Sequence, residues 1–221
     1  MRYVDTAWRT LLALVFPSDP RDVWLETISC DDFFARFTED AVWVHRRVDC
    51  LSPLRYAHRE VGHAVKAVKY RNNERLARLL GEGIAPYLAE EIAERRLFGT
   101  YTDPVCIPIP LHSARQRERG FNQSERIATA MLQSLGSDYV PCLTHALVRT
   151  KRTEAQAHTR HKQERAKNMR GAFSVPDPSL VTGRDIILVD DVITTGSTLY
   201  EAARSLRHAG ARAVLCVAVA H

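Results

Sequence analysis

One stretch constrains the fold more than any other: Ile186-Ile187-Leu188-Val189-Asp190-Asp191-Val192-Ile193-Thr194-Thr195-Gly196-Ser197-Thr198. An unbroken apolar run rich in β-branched residues suits a strand covered on both faces, the situation of a parallel sheet flanked by helices. Two carboxylates then fall at its carboxyl end, where open α/β sheets bind ligands. Thr194 to Thr198 bring hydroxyls and backbone N–H groups that suit a phosphate. Gly196 lacks the Cβ that would block close approach, and a helix starting behind the loop adds its dipole. Adjacent carboxylates accept well from a vicinal diol and stabilise positive charge on a sugar ring. A buried strand ending in an acidic helix-capping turn needs fewer coincidences. Two acids followed by Thr-Thr-Gly-Ser-Thr is nevertheless far more specific than a lone glycine motif, and it points to a sugar-phosphate cradle.

The rest of the second half alternates in kind. The pattern predicts a strand over 105–109, a helix over 123–135 with Ile127, Ala130, Met131 and Leu135 inward, and a strand over 143–148. A short strand follows over 172–175 and a turn region around Pro176, Asp177, Pro178 and Gly183. Strand 186–190 leads to a helix over 198–209 that buries Leu199, Ala202, Ala203 and Leu206, with Gly210 as its C-cap. Residues 214–220 close as a strand. Strands separated by helices argue for a parallel sheet with right-handed crossovers. Residues 58–90 show two apolar helical stripes, Val61 to Val68 and Leu76 to Leu88, broken near Lys69-Tyr70-Arg71-Asn72-Asn73. Residues 1–55 form a separate N-terminal section: an amphipathic helix from Val4 to Val15, two prolines, then aromatics at Trp24, Phe33, Phe34, Phe37 and Trp43.

The 221 residues carry 31 Lys and Arg against 26 Asp and Glu, a net charge of +5 that suits an anionic ligand or nucleic acid. No apolar run approaches the roughly 20 residues needed to cross a bilayer. The N-terminal helix lacks the pattern of a signal peptide, so a cytoplasmic protein is expected. Five scattered cysteines without a Cys-x-x-Cys pair suggest reduced thiols.

Two basic segments accompany the cradle. After the strand at 105–109 come Pro110-Leu111-His112, then Arg115, Arg117 and Arg119-Gly120-Phe121-Asn122-Gln123. This reads as a basic loop before a helix started by Asn122 or Gln123. Its place at a strand end puts it on the same sheet edge as the acidic pair, where an arginine can grip pyrophosphate oxygens. Residues 149–170 hold eight Arg and Lys against two acids and no apolar periodicity. They suit a lid over phosphates, a track for a nucleic-acid backbone, or a solvated helix.

The acidic pair with its loop resembles the phosphoribosyl-pyrophosphate (PRPP) signature of type I phosphoribosyltransferases. Pro108-Ile109-Pro110-Leu111, Arg119 to Gln123, Gln156, Glu164-Arg165, Asn168, Gly171-Ala172-Phe173 and the Lys69-Tyr70 pair extend the likeness. With the cradle they resemble the ComF family, which includes the competence protein ComFC and the GntX-like proteins, over residues 54–221. The resemblance implies an α/β type I phosphoribosyltransferase fold: a central parallel sheet flanked by helices, with a flexible hood loop. Domain 56–221 would be transferase-like, and 1–55 a degenerate counterpart of the family's zinc module. It implies that Asp190 and Asp191 hold the ribose hydroxyls. Thr194, Thr195, Gly196, Ser197 and Thr198 would hold the 5′-phosphate. Pro110, Leu111, His112, Arg119, Gly120, Asn122, Gln123, Arg165 and Asn168 would serve pyrophosphate and the hood. It also implies a Mg2+ ion bound with PRPP, through Asp190 and Asp191 if any protein group ligates it, and an undefined nucleobase or amine acceptor.

The family's zinc module has two cysteine pairs, whereas Leu14-Val15-Phe16-Pro17 is followed here by Ser18-Asp19-Pro20. Cys30 and Cys50 cannot close a tetrahedral site without other ligands, so no zinc is expected, and the aromatic cluster would serve as local core. The expected activity is phosphoribosyl transfer from PRPP to a nitrogen acceptor, linked to DNA uptake. The rival is a non-catalytic PRPP or nucleotide sensor that binds single-stranded DNA. A structural domain with a vestigial site fits less well, because the cradle is intact. A homodimer is open to either.

Overall fold

The computed structural model describes residues 20–38, 49–99, 101–136, 140–151 and 169–221. The helix expected over 4–15, Trp43 and most of the basic stretch 149–170, with Gln156, Glu164, Arg165 and Asn168, lie outside the described residues.

In chain order the elements are α1 (Pro20–Thr27), α2 (Cys30–Phe37), β1 (Cys50–Leu51), α3 (Arg59–Arg71) and α4 (Glu74–Leu97). Then come β2 (Pro104–Pro108), α5 (Ser113–Arg119), α6 (Gln123–Leu135), β3 (Val148–Arg149) and β4 (Phe173–Ser174). The chain ends with β5 (Asp185–Val192), α7 (Ser197–His208) and β6 (Ala213–Ala220). Four strands form a parallel sheet in the order β1-β6-β5-β2, while β3 and β4 make a small antiparallel pair.

Strand alternation sorts the core into two layers. Ile187 and Val189 of β5, with Leu215, Val217 and Val219 of β6, join the cluster that includes α3, α4 and α6. Ile186 and Leu188, with Val214, Cys216 and Ala218, face the cluster built on α7 and β4. Both faces are thus apolar, which is why these strands read as unbroken hydrophobic runs. Three phenylalanines of α2 are buried in the first layer, and Trp24 meets the Phe37 ring edge-on at 6.1 Å. The aromatic cluster is therefore a real local core.

The helical pair 58–90 breaks where the spacing predicted. Asn72 takes the left-handed conformation at φ 53°, and the Asn73 side chain caps α4 by accepting from the Leu76 amide. Gly81 lets α4 press against α6: a Cβ there would lie 2.6 Å from the Ile127 carbonyl oxygen.

Three expectations need correction. The basic segment after β2 is a short helix, α5, rather than a loop. Residues 143–148 hold no continuous strand: Cys142 bridges to Cys106 and only Val148–Arg149 pair further on. Strand β5 runs two residues further than the 190 expected, to Val192, so both carboxylates still lie at its carboxyl end. Gly210 takes φ +94° one residue past the cap at Ala209. Among the described residues no helix is long and apolar enough to cross a membrane.

Candidate functional site

The site edge is where β5 and β2 end. Asp190 and Asp191 are both buried, at 8% and 4% exposure, in a strand whose other side chains are nearly all apolar. Two carboxylates are costly there unless each is met by donors or charge.

Asp190 Oδ1 accepts from the Ser124 hydroxyl at 3.0 Å and from the Asp191 amide at 2.9 Å. Ser124 is positioned by its neighbour. The Asn122 side chain caps α6 by accepting from the Ser124 amide at 3.1 Å and donates to the Ile109 carbonyl at 3.0 Å. The Ile109 amide in turn donates to Val189 O at 2.8 Å. Asn122 therefore pins the start of α6 to the end of β2, and Ser124 carries that link to the acidic pair. Asn122 and Gln123 are both buried, and Gln123 accepts from Arg119 at 3.2 Å. Their side chains are thus engaged inside the fold.

Asp191 Oδ1 accepts from the Val192 amide at 3.0 Å. Its Oδ2 pairs with the Lys69 ammonium at 3.2 Å, and no other described donor reaches it. Burial and the adjacent Asp191 carboxylate push the Asp190 carboxyl up to about 7, against the opposing pull of the Asp191 amide, Lys69 and Ser124. Burial alone would lower the Lys69 ammonium; the Asp191 and Asp190 charges, with the hydrogen bond to Asp191, outweigh it and leave it raised. Arg149, stacked over Phe173 at 5.6 Å, is lowered by burial and held up by Asp190. Lys69, Ser124 and Arg149 were not among the residues the sequence singled out for the site. The Lys69-Tyr70 pair was visible at the break between the two helical stripes, but its target lies across the fold.

The phosphate loop sits directly after the strand. Ile193 donates to the Ala220 carbonyl at 2.8 Å, which ties the loop to the end of β6. Gly196 takes φ +69°, a conformation that suits glycine, and opens α7 with no side-chain cap. Thr194 is exposed, while Thr195, Ser197 and Thr198 are half-buried. The Thr195 and Ser197 hydroxyls lie 3.0 Å apart. Beyond a long contact of 3.5 Å from the Ser197 amide to Thr195 Oγ1, the helix N-terminus is open, and with small hydroxyl residues beside it this is a ready anion seat. Across the cleft edge, Pro110, Leu111 and His112 are half-buried, and His112 caps α5 by accepting from the Ala114 amide at 3.2 Å. Gly120 ends α5 at φ 77°. The Arg119 guanidinium lies 5.1 Å over the ring of the exposed Tyr70. A separate groove of about 700 Å³ borders Gly120 to Asn122, between the starts of α4 and α6, and does not include the acidic pair.

The donor set suits a hard cation shared with a ligand. Carboxylate oxygens are the right chemistry for Mg2+, and Asp191 Oδ2 has no described partner besides Lys69. Among the described residues no three His, Cys, Asp or Glu gather to hold a metal by themselves, so further ligands would come from the bound phosphates and water.

Residues 122–221 match the family model described as the phosphoribosyl transferase domain. The DNA utilization protein YhgH of Escherichia coli K12 is 35% identical over 127 residues, covering 58% of this chain and 53% of that protein. Competence protein F of Haemophilus influenzae is 34% identical over 151 residues, covering 66% and 61%. Competence protein ComFC of Streptococcus pneumoniae is 28% identical over 141 residues, covering 62% and 54%. The chain thus spans a little over half the length of the curated relatives it matches. Among solved structures, hypoxanthine phosphoribosyl transferase of Trypanosoma cruzi aligns with 66% of this chain and 64% of its own, at 14% identity and a TM-score of 0.41. The matched domain, the sheet that carries its acidic pair and the relatives agree: residues 122–221 match a phosphoribosyl transferase domain, and the chain is similar to proteins of DNA utilization and competence.

Proposed function

We propose that this protein binds PRPP with magnesium at the carboxyl edge of its sheet and transfers the phosphoribosyl group to a nitrogen acceptor. The observation that carries this reading is the placement of Asp190 and Asp191 at the end of β5, directly before a glycine-opened helix N-terminus. In the proposed reaction the Asp190 and Asp191 carboxylates accept from the ribose 2′- and 3′-hydroxyls. Thr194 to Thr198 hold the 5′-phosphate by hydroxyls, backbone N–H groups and the α7 dipole. The C1–O bond to pyrophosphate breaks as a C1–N bond forms, and the acceptor loses a proton. The ring carries positive charge in the transition state, and nearby carboxylates stabilise it. Magnesium, bound with PRPP, would neutralise the departing pyrophosphate. Arg119 stands at the rim for the same task.

A pyrophosphate-release assay with PRPP, Mg2+ and a panel of nucleobases and amines tests the reading. Release dependent on one acceptor is expected. Calorimetry is the companion experiment: the double variant Asp190→Asn, Asp191→Asn should lose PRPP binding while keeping its fold, and undiminished affinity would refute the assignment.

The relatives are named DNA utilization protein and competence protein, which supports one second reading: a PRPP or nucleotide sensor that binds single-stranded DNA. The α5 arginines and the exposed Tyr70 under Arg119 give that reading a basic surface with an aromatic in it. Filter binding across a salt series separates the two, since true DNA binding weakens steeply with salt. Binding without pyrophosphate release for any acceptor would favour the sensor.

A further inference from the structure

Lys69 lies 53 residues before the start of the matched transferase domain, near the end of α3, yet its ammonium is 3.2 Å from Asp191 Oδ2. The helix brings it there for a clear reason. Val61, Ala64, Val65 and Val68 form the buried stripe of α3 that packs into the first core layer. Lys69 follows at the edge of that stripe and reaches the layer's rim. Asp191 continues the row of Ile187 and Val189, which faces the same layer. The cation therefore arrives from the side on which the carboxylate projects.

A stability role alone explains this poorly. Bringing Asp190, Asp191 and an ammonium together at an apolar strand end gains little net stability, because desolvation offsets the attraction. Lys69 is also the one described partner of Asp191 Oδ2, so the direction of that carboxylate oxygen rests on it. Resting on the PRPP reading above, we infer that Lys69 is a positioning residue of the phosphoribosyl site. Its ammonium fixes the Asp191 carboxylate toward the ribose hydroxyls, so that the helical layer outside the matched domain completes the site.

The test uses calorimetry on the full chain with three probes: PRPP with Mg2+, ribose 5-phosphate, and pyrophosphate with Mg2+. Lys69→Met should weaken PRPP and ribose 5-phosphate together, by about 10-fold to 100-fold, the range for losing a group that orients a site ligand. Pyrophosphate affinity should stay unchanged, and Lys69→Arg, which keeps the charge, should recover most of the loss. Lys69→Gln replaces Lys69→Met if thermal melting shows the latter unfolded. Unaltered PRPP affinity in the charge-free variant overturns the inference. So does a loss confined to pyrophosphate, which would make Lys69 a direct phosphate contact, or an equal loss in Lys69→Arg. If the unsubstituted chain binds neither PRPP nor ribose 5-phosphate, the PRPP reading itself fails, which is a different result from a silent Lys69 variant.

Discussion

The acidic pair should cost the protein stability, and Asp190→Asn measures how much. The Asp190 carboxyl is pushed to about 7 from an ordinary 3.8 by burial and by Asp191. An acid held above its unfolded value binds more protons folded than unfolded between those two values, so stability falls as pH rises through that window. Integrated over the window, the loss is about 4 kcal/mol, most of it complete by pH 8, and about 3 kcal/mol of it falls between pH 5 and pH 8. Asparagine keeps the side-chain oxygen that accepts from Ser124 and from the Asp191 amide, and it cannot ionise. Urea unfolding of both proteins at pH 5 and pH 8 should therefore show a gap in favour of Asp190→Asn that widens by about 3 kcal/mol toward the higher pH. Asp185, Asp177 and Glu201 are all held low. Their contributions are lost only at more acid pH, and they cancel between the two proteins. A gap independent of pH, or a less stable variant at pH 8, would refute the reasoning and mean that Asp190 is ionised at little cost in the folded state. The same substitution should remove PRPP binding, a trade of function for stability of the kind expected where a site stores unfavourable charge.

Three further outcomes follow. Ser124→Ala removes a donor to the Asp190 carboxylate, so the pH midpoint of PRPP binding should move upward, seen by calorimetry from pH 6 to 9; an unmoved midpoint would separate Ser124 from the site. Gly81→Ala should destabilise by about 1–3 kcal/mol despite alanine's better helix propensity. Its Cβ would meet backbone atoms of Ile127 and Met131 at 2.6 and 2.8 Å, and a melting temperature equal to or above the parent's would show that α4 and α6 can separate freely. Alkylation at pH 8 followed by mass spectrometry should mark Cys142 first. Its half-buried thiol is lowered by the hydrogen bond from Cys106, whereas burial raises Cys30 to about 11 and Cys216 to about 12. Early labelling of Cys216 would contradict the packing of β6.

What the sequence disclosed, and what it hid, follows from where each residue's information lies. Strand β5 was legible because a strand buried on both faces must be apolar throughout, and Ile186 to Val189 sit in two different core layers. Helix α6 was legible to the residue, because its stripe of Ile127, Ala130 and Met131 recurs at helical spacing and Asn122 supplies a recognisable cap. Helix α5 escaped for the opposite reason: none of its residues is buried, so no apolar stripe exists to betray it, and its arginines read as a loop. Strand β1 has two residues, Cys50 and Leu51, and gains its place by pairing them with Cys216 and Val217, information held 166 positions away. The same limit governed the site. Asp190, Asp191 and the loop after them are consecutive, and their chemistry needs no tertiary knowledge to suspect. Ser124 and Lys69 meet them only after the chain has folded, at separations of 66 and 122 residues. A hydroxyl at a helix start and a lysine beside an apolar stripe carry no local mark of that destination. Sequence therefore reveals the groups that would touch ligand, which are contiguous, and conceals those that set their charge and direction. Those concealed groups decide whether Asp190 is ionised at neutral pH, and so whether the cradle is ready to accept a diol.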